Sequence, residues 1–337
     1  MKKKLILIND TALNDSFTKS FIKEGYDVFP ILEKPIVCKR NWRTKLTNIF
    51  YRVVLKDNSF FKKLFHKNLE KEVYNRIKNI ETPIDYAIVF SAHYYSERII
   101  KLLRKKSKKL ISYQVDGWEL CHDIVKYRDY FDRVFFFDND DLAKYGDKAL
   151  PLTNCYFTEE NPKDTPSVDL FYLGGWNNTR FSYLKNIHNR LKGKYILKAL
   201  MHIPEYKEEE NILTDNEGGG IYLKNGSFQY NENIDFVKKS KCIIDIKFSY
   251  HNGLSFRFFE ALYYKRKLIT NNATVKNYDF YHDNNIFITD FENLDGIEEF
   301  LEKPYTEIDP KIVDKYGFPN WSRYLLDTPP YQKITNG

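Results

Sequence analysis

The chain has 337 residues, long enough for two domains of ordinary size, and its 42% hydrophobic and 17% aromatic content supplies two cores and excludes global disorder. The apolar run in MKKKLILIND is short, and no later run reaches the roughly 18 apolar residues of a membrane helix, so we expect neither a secretory signal nor a membrane span. The net charge is +7. Reduced thiols are expected for the four widely separated cysteines, Cys38, Cys121, Cys155 and Cys242.

The N-terminal half alternates short apolar strands with helices. KLILI at 4–8 predicts the first strand, a helix follows, and further strands are predicted in DYAIVF, KLISYQ and RVFFF. This alternation is typical of an open parallel α/β sheet, where ligands lie beyond the carboxyl ends of the strands. The polar residues that follow these strands, and that should surround one crevice, are Asn9, Asp10, His93 and Asp116.

A second α/β half follows a polar, proline-containing stretch at 151–168. There DLFYLGG predicts a strand that ends in Gly174 and Gly175, and the alternation of helices and strands then resumes. We therefore predict an N-terminal domain over 1–160, a C-terminal domain over 161–327, and a tail over 328–337 that returns to the N-terminal domain.

The stretch HNGLSFRFFEALYYKRKLITNN, residues 251–272, predicts a helix between two strands. Ser255 is a candidate N-cap, and a free helix N-terminus suits a phosphate. Arg257 could add a charge-assisted contact to that anion, and Glu260 could accept hydrogen bonds from sugar hydroxyls. His251 could bind phosphate or cap the loop. Alternatively, Arg257 and Glu260 form an ordinary surface ion pair.

This motif resembles the donor-site motif of GT-B glycosyltransferases, above all the bacterial enzymes of lipopolysaccharide, O-antigen and capsule assembly and the CgeB-like group. The matching stretches, in chain order, are YQVDGWE (113–119), FDRVFFFDNDDLAKYG (131–146), DLFYLGG with Arg180 after it, Gly253 to Leu262 with KRKLITNN, and YDFYHDNNIFI (278–288). The resemblance implies an α/β fold of two Rossmann-like domains whose parallel sheets face a central cleft.

The resemblance also implies residue roles. Glu260 would contact the nucleotide ribose, Ser255 and Arg257 would lie near the diphosphate, and Gly174 with Gly175 would let the donor phosphates approach the backbone. Many retaining members have a second glutamate eight positions before the last, where this chain has Asn252. The resemblance therefore leaves the stereochemical outcome open and favours inversion.

An inverting transfer needs a general base from the N-terminal half. His93 and Asp116 are the leading candidates and Asp10 is a weaker one, although a histidine near a strand end is often structural and an aspartate before glycine often shapes a turn. No metal or other cofactor is expected. We interpret DNDD at 138–141 as strand-end and helix-cap carboxylates rather than a metal site.

Residues 39–78 carry twelve basic and three acidic side chains, a net charge of +9, with aromatic residues interspersed. This mixture suits an anionic membrane surface, and it equally suits a basic helix pair whose aromatics are core residues.

We therefore predict an enzyme, a glycosyltransferase that moves a sugar from a nucleotide-sugar donor to a glycan or lipid-linked glycan acceptor. We expect it in the cytoplasm or peripheral on the inner face of the membrane, with no nucleic-acid partner. The alternatives are a nucleotide-sugar epimerase on the same fold and a basic nucleic-acid-binding protein.

Overall fold

The computed structural model describes residues 2–33, 47–48, 51, 56, 60–158, 166–203, 211–215, 218–226 and 230–335. The described chain divides into two compact units. The first comprises Met1–Asp116 with Leu120–Phe135, and the second comprises Gly117–Glu119 with Phe136–Gly337. The predicted boundary at residue 160 and 17 of the 40 residues of the predicted membrane-contacting segment, 39–78, lie outside the described residues, and both stay predictions.

The strands are β1 (Lys4–Ile8), β2 (Asp27–Pro30), β3 (Ile84–Phe90), β4 (Ser107–Gln114), β5 (Arg133–Phe136), β6 (Ala149–Pro151), β7 (Val168–Gly175), β8 (Leu197–Ile203), β9 (Asn211–Thr214), β10 (Gly220–Asn225), β11 (Ser240–Asp245), β12 (Lys267–Thr270) and β13 (Ile286–Ile288). The α-helices are α1 (Asn14–Lys23), α2 (Phe60–Asn79), α3 (Glu97–Lys106), α4 (Trp118–Cys121), α5 (Asn139–Tyr145), α6 (Asn178–Leu191), α7 (Tyr230–Lys238), α8 (Phe256–Tyr263), α9 (Ile297–Glu302), α10 (Pro310–Lys315) and α11 (Phe318–Leu326). Short 3₁₀ helices cover Ala92–Tyr94, His122–Tyr130 and Ala273–Asn277.

The first sheet has six strands in the order β2-β1-β3-β4-β5-β6. β1 pairs in parallel with both β2 and β3, and β3 pairs in parallel with β4. Strands β1 and β3 are almost entirely buried, as expected for parallel strands with helices on both faces. Strands β1, β3 and β4 are adjacent and run in the same direction. The loops that follow their carboxyl ends therefore lie at the same edge of the sheet.

The second sheet has seven strands in the order β13-β12-β11-β7-β8-β10-β9. Its pairings are parallel except for the β9–β10 pair, which is antiparallel. Helix α6 covers the sheet with its buried aliphatic residues Leu184, Ile187 and Leu191, which belong to one core cluster with residues of β7, β8, β11 and β12. The centre of the sheet, β12-β11-β7-β8, carries the polar residues discussed below.

The structure confirms the α/β class and the strands that flank the predicted motifs. It adds strands β9 and β10 and helices α9 to α11, which the sequence patterns did not predict. In the predicted tail, Gln332 exchanges hydrogen bonds with Asn320 and donates its Nε2 to the Lys311 carbonyl, and Ile334 is buried. Its return to the N-terminal domain stays a prediction. Every helix in the described ranges is too short or too polar to cross a bilayer.

Candidate functional site

The first candidate region is the first edge, formed by the carboxyl ends of β1, β3 and β4. Asp10 follows β1, His93 follows β3, and Asp116 follows β4. They are close enough for the Asp116 charge to raise the pKa of Asp10 and for the charges of both aspartates to act on His93. The structure therefore brings together the three residues that the sequence nominates as bases.

His93 lies half-buried on the 3₁₀ turn after β3. Its Nδ1 lies 3.0 Å from Oε1 of Gln114, the last residue of β4, whereas its Nε2 has no hydrogen-bond partner among the described residues. Burial lowers the pKa of His93, opposed by the Gln114 contact and the nearby carboxylates. The imidazole is therefore neutral near pH 7, the state in which it can accept a proton.

The two carboxylates at the first edge differ in their surroundings. Asp116 accepts a hydrogen bond from Ser91 Oγ at 3.0 Å, and Ser91 adopts a left-handed conformation with φ of 47°. The pKa of Asp10 is raised, mainly because surrounding protein excludes water from its carboxylate. Asn9 is buried, and its Nδ2 has no partner within the described part of the chain.

The second candidate region is the second edge, formed by the carboxyl ends of β7, β11 and β12 and the start of α8. Asp245 ends β11 and is buried. It accepts hydrogen bonds from Ser255 Oγ at 2.6 Å, Thr270 Oγ1 at 3.3 Å and Arg257 Nη1 at 3.4 Å. One carboxylate thus fixes β12 and the first turn of α8 against β11.

The start of α8 follows the predicted pattern with one difference. Ser255 occupies the N-cap position, but its hydroxyl donates to Asp245 instead of capping the helix. Arg257 retains 26% side-chain exposure and also donates to the carbonyl of Leu173, near the end of β7. Arg257 therefore contacts the residue that directly precedes the predicted Gly174 and Gly175.

Glu260 lies one turn further along α8 and is only 1% exposed. It receives a hydrogen bond from Asn233 Nδ2 at 3.5 Å and one from Tyr230, both on α7. Burial raises the pKa of Glu260 to about 7, partly opposed by the Arg257 charge and these hydrogen bonds. Arg257 forms its ion pair with Asp245, and Glu260 is buried. The two residues therefore do not form the surface ion pair that the sequence left open as an alternative. The ribose contact of Glu260 stays a prediction.

The glycines after β7 have different surroundings. A side chain on Gly174 would lie 2.4 Å from the Tyr172 hydroxyl, whereas one on Gly175 would meet only Arg180, at 3.8 Å. Arg180 is buried, donates to the carbonyls of Gly175 and Ile246, and lies 3.8 Å from the centre of the Phe248 ring. A side chain at Gly174 would therefore require Tyr172 to move, whereas Gly175 leaves space beside the backbone.

The loop before α8 is closely packed. Asn252 donates its N–H to Asp138 at 2.6 Å and its Nδ2 to Asp140 at 2.7 Å, and it accepts from Lys247 Nζ at 2.7 Å. A side chain on Gly253 would approach Phe137 to 2.4 Å, so only glycine fits without a backbone shift. The residue at the position of the second glutamate is therefore an amide held by charged groups.

His251 and the DNDD segment complete this region. The ring of His251 lies 5.0 Å from that of Phe137, burial lowers its pKa, and its Nδ1 has no hydrogen-bond partner among the described residues. Asp138 caps α5 by accepting from the Asp140 N–H at 3.1 Å, which confirms the helix-cap interpretation. No group of three or more metal-ligating side chains is found in the described ranges.

Comparison with solved structures gives matches over nearly the whole chain. The UDP-forming α,α-trehalose-phosphate synthase of Burkholderia xenovorans superposes with a TM-score of 0.58 at 10% identity, covering 97% of this chain and 98% of its own. A structure of such an enzyme from the same organism with glucose-6-phosphate gives 0.58 at 11% identity, covering 96% and 99%. An α-glucosyltransferase bound to UDP and a 13-mer DNA gives 0.54 at 10% identity, covering 98% and 96%.

These neighbours are GT-B glycosyltransferases. The chain has the GT-B fold. The comparison with protein-family models finds no match, and the comparison with curated proteins finds none either. The sequence motif assigns the second edge to the donor, and that assignment stays a prediction. The roles of individual residues there stay predictions.

Three residues at these edges escaped the sequence analysis: Ser91, Gln114 and Asp245. Asp245 follows an apolar run in KCIIDIKF and is the last residue of its strand. The expectation that polar residues at the carboxyl ends of strands surround a ligand, which selected Asp116, could have selected Asp245 as well. Ser91 directly follows β3 and satisfies that rule too. Gln114 is the last residue of a strand, and only its contact with His93 distinguishes it.

Proposed function

We propose that this protein is a glycosyltransferase that uses a nucleotide-sugar donor bound at the second edge. The observation that carries the proposal is the convergence of Arg257 and Arg180 on the ends of β7 and β11. Arg257 contacts the Leu173 carbonyl and Asp245, and Arg180 contacts the carbonyls of Gly175 and Ile246. Two guanidinium groups beside an open glycine backbone and a helix N-terminus suit a diphosphate.

The proposed donor position assigns a role to each element. The diphosphate lies over Gly175 and the first turn of α8, with Arg257 compensating its charge as the leaving group departs. Glu260 accepts hydrogen bonds from the ribose, which requires its buried carboxylate to exchange the weak contact with Asn233 for a ligand hydroxyl. We propose that the arginines supply this compensation without a metal.

Ligand-dependent stabilisation tests donor binding. A ligand that binds only the native state raises the apparent melting temperature by an amount that grows with the ratio of free ligand concentration to Kd. Nucleoside diphosphates and nucleotide sugars should be screened beginning with UDP and UDP-glucose, because UDP is named in the neighbouring structures. Stabilisation by a nucleoside diphosphate that persists in EDTA supports the proposal, and no stabilisation by any diphosphate contradicts it.

We also propose that His93 is the general base of an inverting transfer, with Asp116 as the second candidate. His93 is favoured because its Nε2 has no partner within the described residues, whereas Asp116 already accepts a hydrogen bond from Ser91. The test is NMR of the anomeric proton in the product. Inversion at the donor carbon supports the proposal, and retention contradicts it. Retention is the outcome that the names of the neighbouring enzymes imply, because they describe α-linked products, if their donors are α-linked too.

For the acceptor we propose a cell-surface glycan, presented on a lipid. The basis is the net charge of +9 over residues 39–78, which would hold the enzyme on an anionic membrane. Cosedimentation with phosphatidylserine vesicles should exceed that with phosphatidylcholine vesicles and fall with salt. Equal binding to the two vesicle types would contradict membrane attachment through these charges.

One neighbour favours a second acceptor class, since the α-glucosyltransferase was solved with DNA. The same basic segment would then contact phosphates, and affinity for duplex DNA would decrease steeply with salt. Sugar incorporation into DNA measured beside incorporation into a lipid-linked glycan separates the two acceptors. Transfer to DNA alone would replace the glycan proposal.

A further inference from the structure

A chain of three buried groups, the Val89 carbonyl, Ser112 and Gln114, runs through the first sheet to His93. Ser112 Oγ lies 3.2 Å from the carbonyl oxygen of Val89 on the neighbouring strand. Gln114 Nε2 lies 2.7 Å from that same Ser112 Oγ, and Gln114 Oε1 lies 3.0 Å from His93 Nδ1. Val89, Ser112 and Gln114 are all 0% exposed, so water does not compete for these contacts.

The direction of each hydrogen bond follows from the chemistry of the groups. A carbonyl oxygen can only accept, so the single hydroxyl hydrogen of Ser112 points to Val89. Ser112 Oγ must then accept from Gln114, which identifies the nearby amide atom as nitrogen and orients the amide oxygen toward His93. An amide oxygen can only accept, so Nδ1 of His93 carries a hydrogen.

We propose that Gln114 is a positioning residue that fixes His93 in the tautomer with its proton on Nδ1 and its lone pair on Nε2. Its importance for catalysis rests on the proposed function, in which His93 is the general base. The nitrogen that this network leaves unprotonated is the one without a partner among the described residues. The network therefore reserves Nε2 for a hydroxyl donor.

In the transfer step, the acceptor hydroxyl gives its proton to Nε2, and its oxygen forms a bond to the donor C1. The bond from C1 to the diphosphate oxygen breaks, and its electron pair leaves with the nucleoside diphosphate. The imidazolium keeps its Nδ1–H bond to Gln114, which stabilises the charge as an amide dipole. Asp10, Asp116 and Asp123 are the charged groups that act on the ring.

The test uses the full-length protein and reads the tautomer without any substrate. Nitrogen-15 NMR of the histidine rings distinguishes a protonated from an unprotonated ring nitrogen, and a His93→Asn sample assigns the His93 signals. At a pH where His93 is neutral, we expect Nδ1 protonated in the wild type. Ser112→Ala, which frees the amide to rotate, and Gln114→Leu should both shift the population toward protonated Nε2.

The matched control is Ser107→Ala, a buried serine on the same strand whose hydroxyl donates to the Leu103 carbonyl away from His93. It should leave the His93 tautomer unchanged. Protonated Nε2 in the wild type, or an unchanged tautomer in Ser112→Ala, would overturn the proposal. Because Ser112→Ala removes only a hydroxyl, it keeps the test decisive if Gln114→Leu does not fold.

Kinetics supply the second readout. Gln114→Leu should lower kcat by on the order of 10-fold with little change in KM for the nucleotide sugar, since only transition-state geometry is affected. Gln114→Glu keeps an acceptor and adds a negative charge. It should retain the tautomer, and because the charge raises the pKa of His93, it should move the acid limb of the pH–rate profile to higher pH. An unmoved limb would overturn the positioning role. If no nucleotide sugar releases its nucleoside diphosphate while the NMR result is as expected, only the proposed function would be rejected.

Discussion

The two edges organise their polar groups in opposite ways. At the second edge the charged groups are already engaged with protein: Asp245 has three donors, Arg180 two carbonyls, and Arg257 a carboxylate and a carbonyl. At the first edge, Asn9 Nδ2 and His93 Nε2 lack partners within the described residues, and at the second edge the same holds for the uncharged His251 Nδ1. The proposed function assigns donor binding to the engaged groups of the second edge and the chemical step to His93 at the first.

The sharpest challenge to this contrast is His93→Asn. Removing a general base typically lowers turnover about 10²- to 10⁴-fold, and we expect such a loss in kcat with an unchanged affinity for UDP. His202→Asn is the matched control, because His202 lies at the carboxyl end of β8 and also has a lowered pKa caused by burial. Equal losses in the two variants would remove the distinction between the edges.

Glu260 tests the second edge through stability. Its pKa rises from 4.5 unfolded to about 7 folded because of burial, so the folded state holds the proton more tightly between those values. The stabilisation present below pH 4.5 is therefore lost as the pH rises through about 7, amounting to about 3 kcal/mol at about 1.4 kcal/mol per pKa unit. In urea unfolding at pH 5 and pH 8, the free energy of unfolding of Glu260→Gln should lack this decrease.

Glu298→Gln is the control of opposite sign. Its hydrogen bond with Lys194 lowers the pKa of Glu298, so the wild-type residue contributes stability that is lost as the pH falls. Parallel pH profiles for wild type and Glu260→Gln would show that the Glu260 carboxylate is not buried in solution.

Arg257→Met measures the binding surface itself. A hydrogen bond to a charged group contributes about 1.5–3 kcal/mol, so the Kd for UDP should rise by about 10- to 150-fold in calorimetry. Lys198→Met, on the same sheet but under the Phe236 ring, should leave the Kd unchanged. If Arg257→Met binds UDP as the wild type does, the arginine only joins Asp245 to Leu173.

The smallest expected effect is that of Phe248→Leu, which removes the ring beneath the Arg180 guanidinium. Such cation–π contacts at partly exposed sites contribute about 0.5–1 kcal/mol, so UDP affinity should fall by about two- to fivefold. A double-mutant cycle with Arg180→Lys would show coupling between the two residues. Strict additivity would mean that Phe248 does not orient Arg180.

The sequence predicted the location of both edges better than their internal contacts. Strand periodicity was enough to place Asp10, His93 and Asp116 together, because parallel strands deliver their carboxyl ends to one edge. It could not show that Ser255 Oγ bonds to Asp245 in place of the helix, since both choices fit an N-cap serine.

Larger misses have a similar cause. The antiparallel β9–β10 pair follows an irregular, charged stretch without alternating periodicity. The Gln114–Ser112–Val89 chain depends on which strands are neighbours, and hydrophobicity alone does not encode strand order. The burial of Glu260 depends on α7, whose approach to α8 no local pattern records.

Ser91 shows how activity could limit this protein's thermal robustness. A non-glycine residue in the left-handed region stores about 1–3 kcal/mol of backbone strain, and here its hydroxyl is the donor to Asp116. Laboratory evolution for heat tolerance alone would therefore be drawn to glycine at this position, releasing the strain and the carboxylate together. A library selected for heat tolerance and turnover at once should keep the serine, making residue 91 a marker of the trade-off between the two.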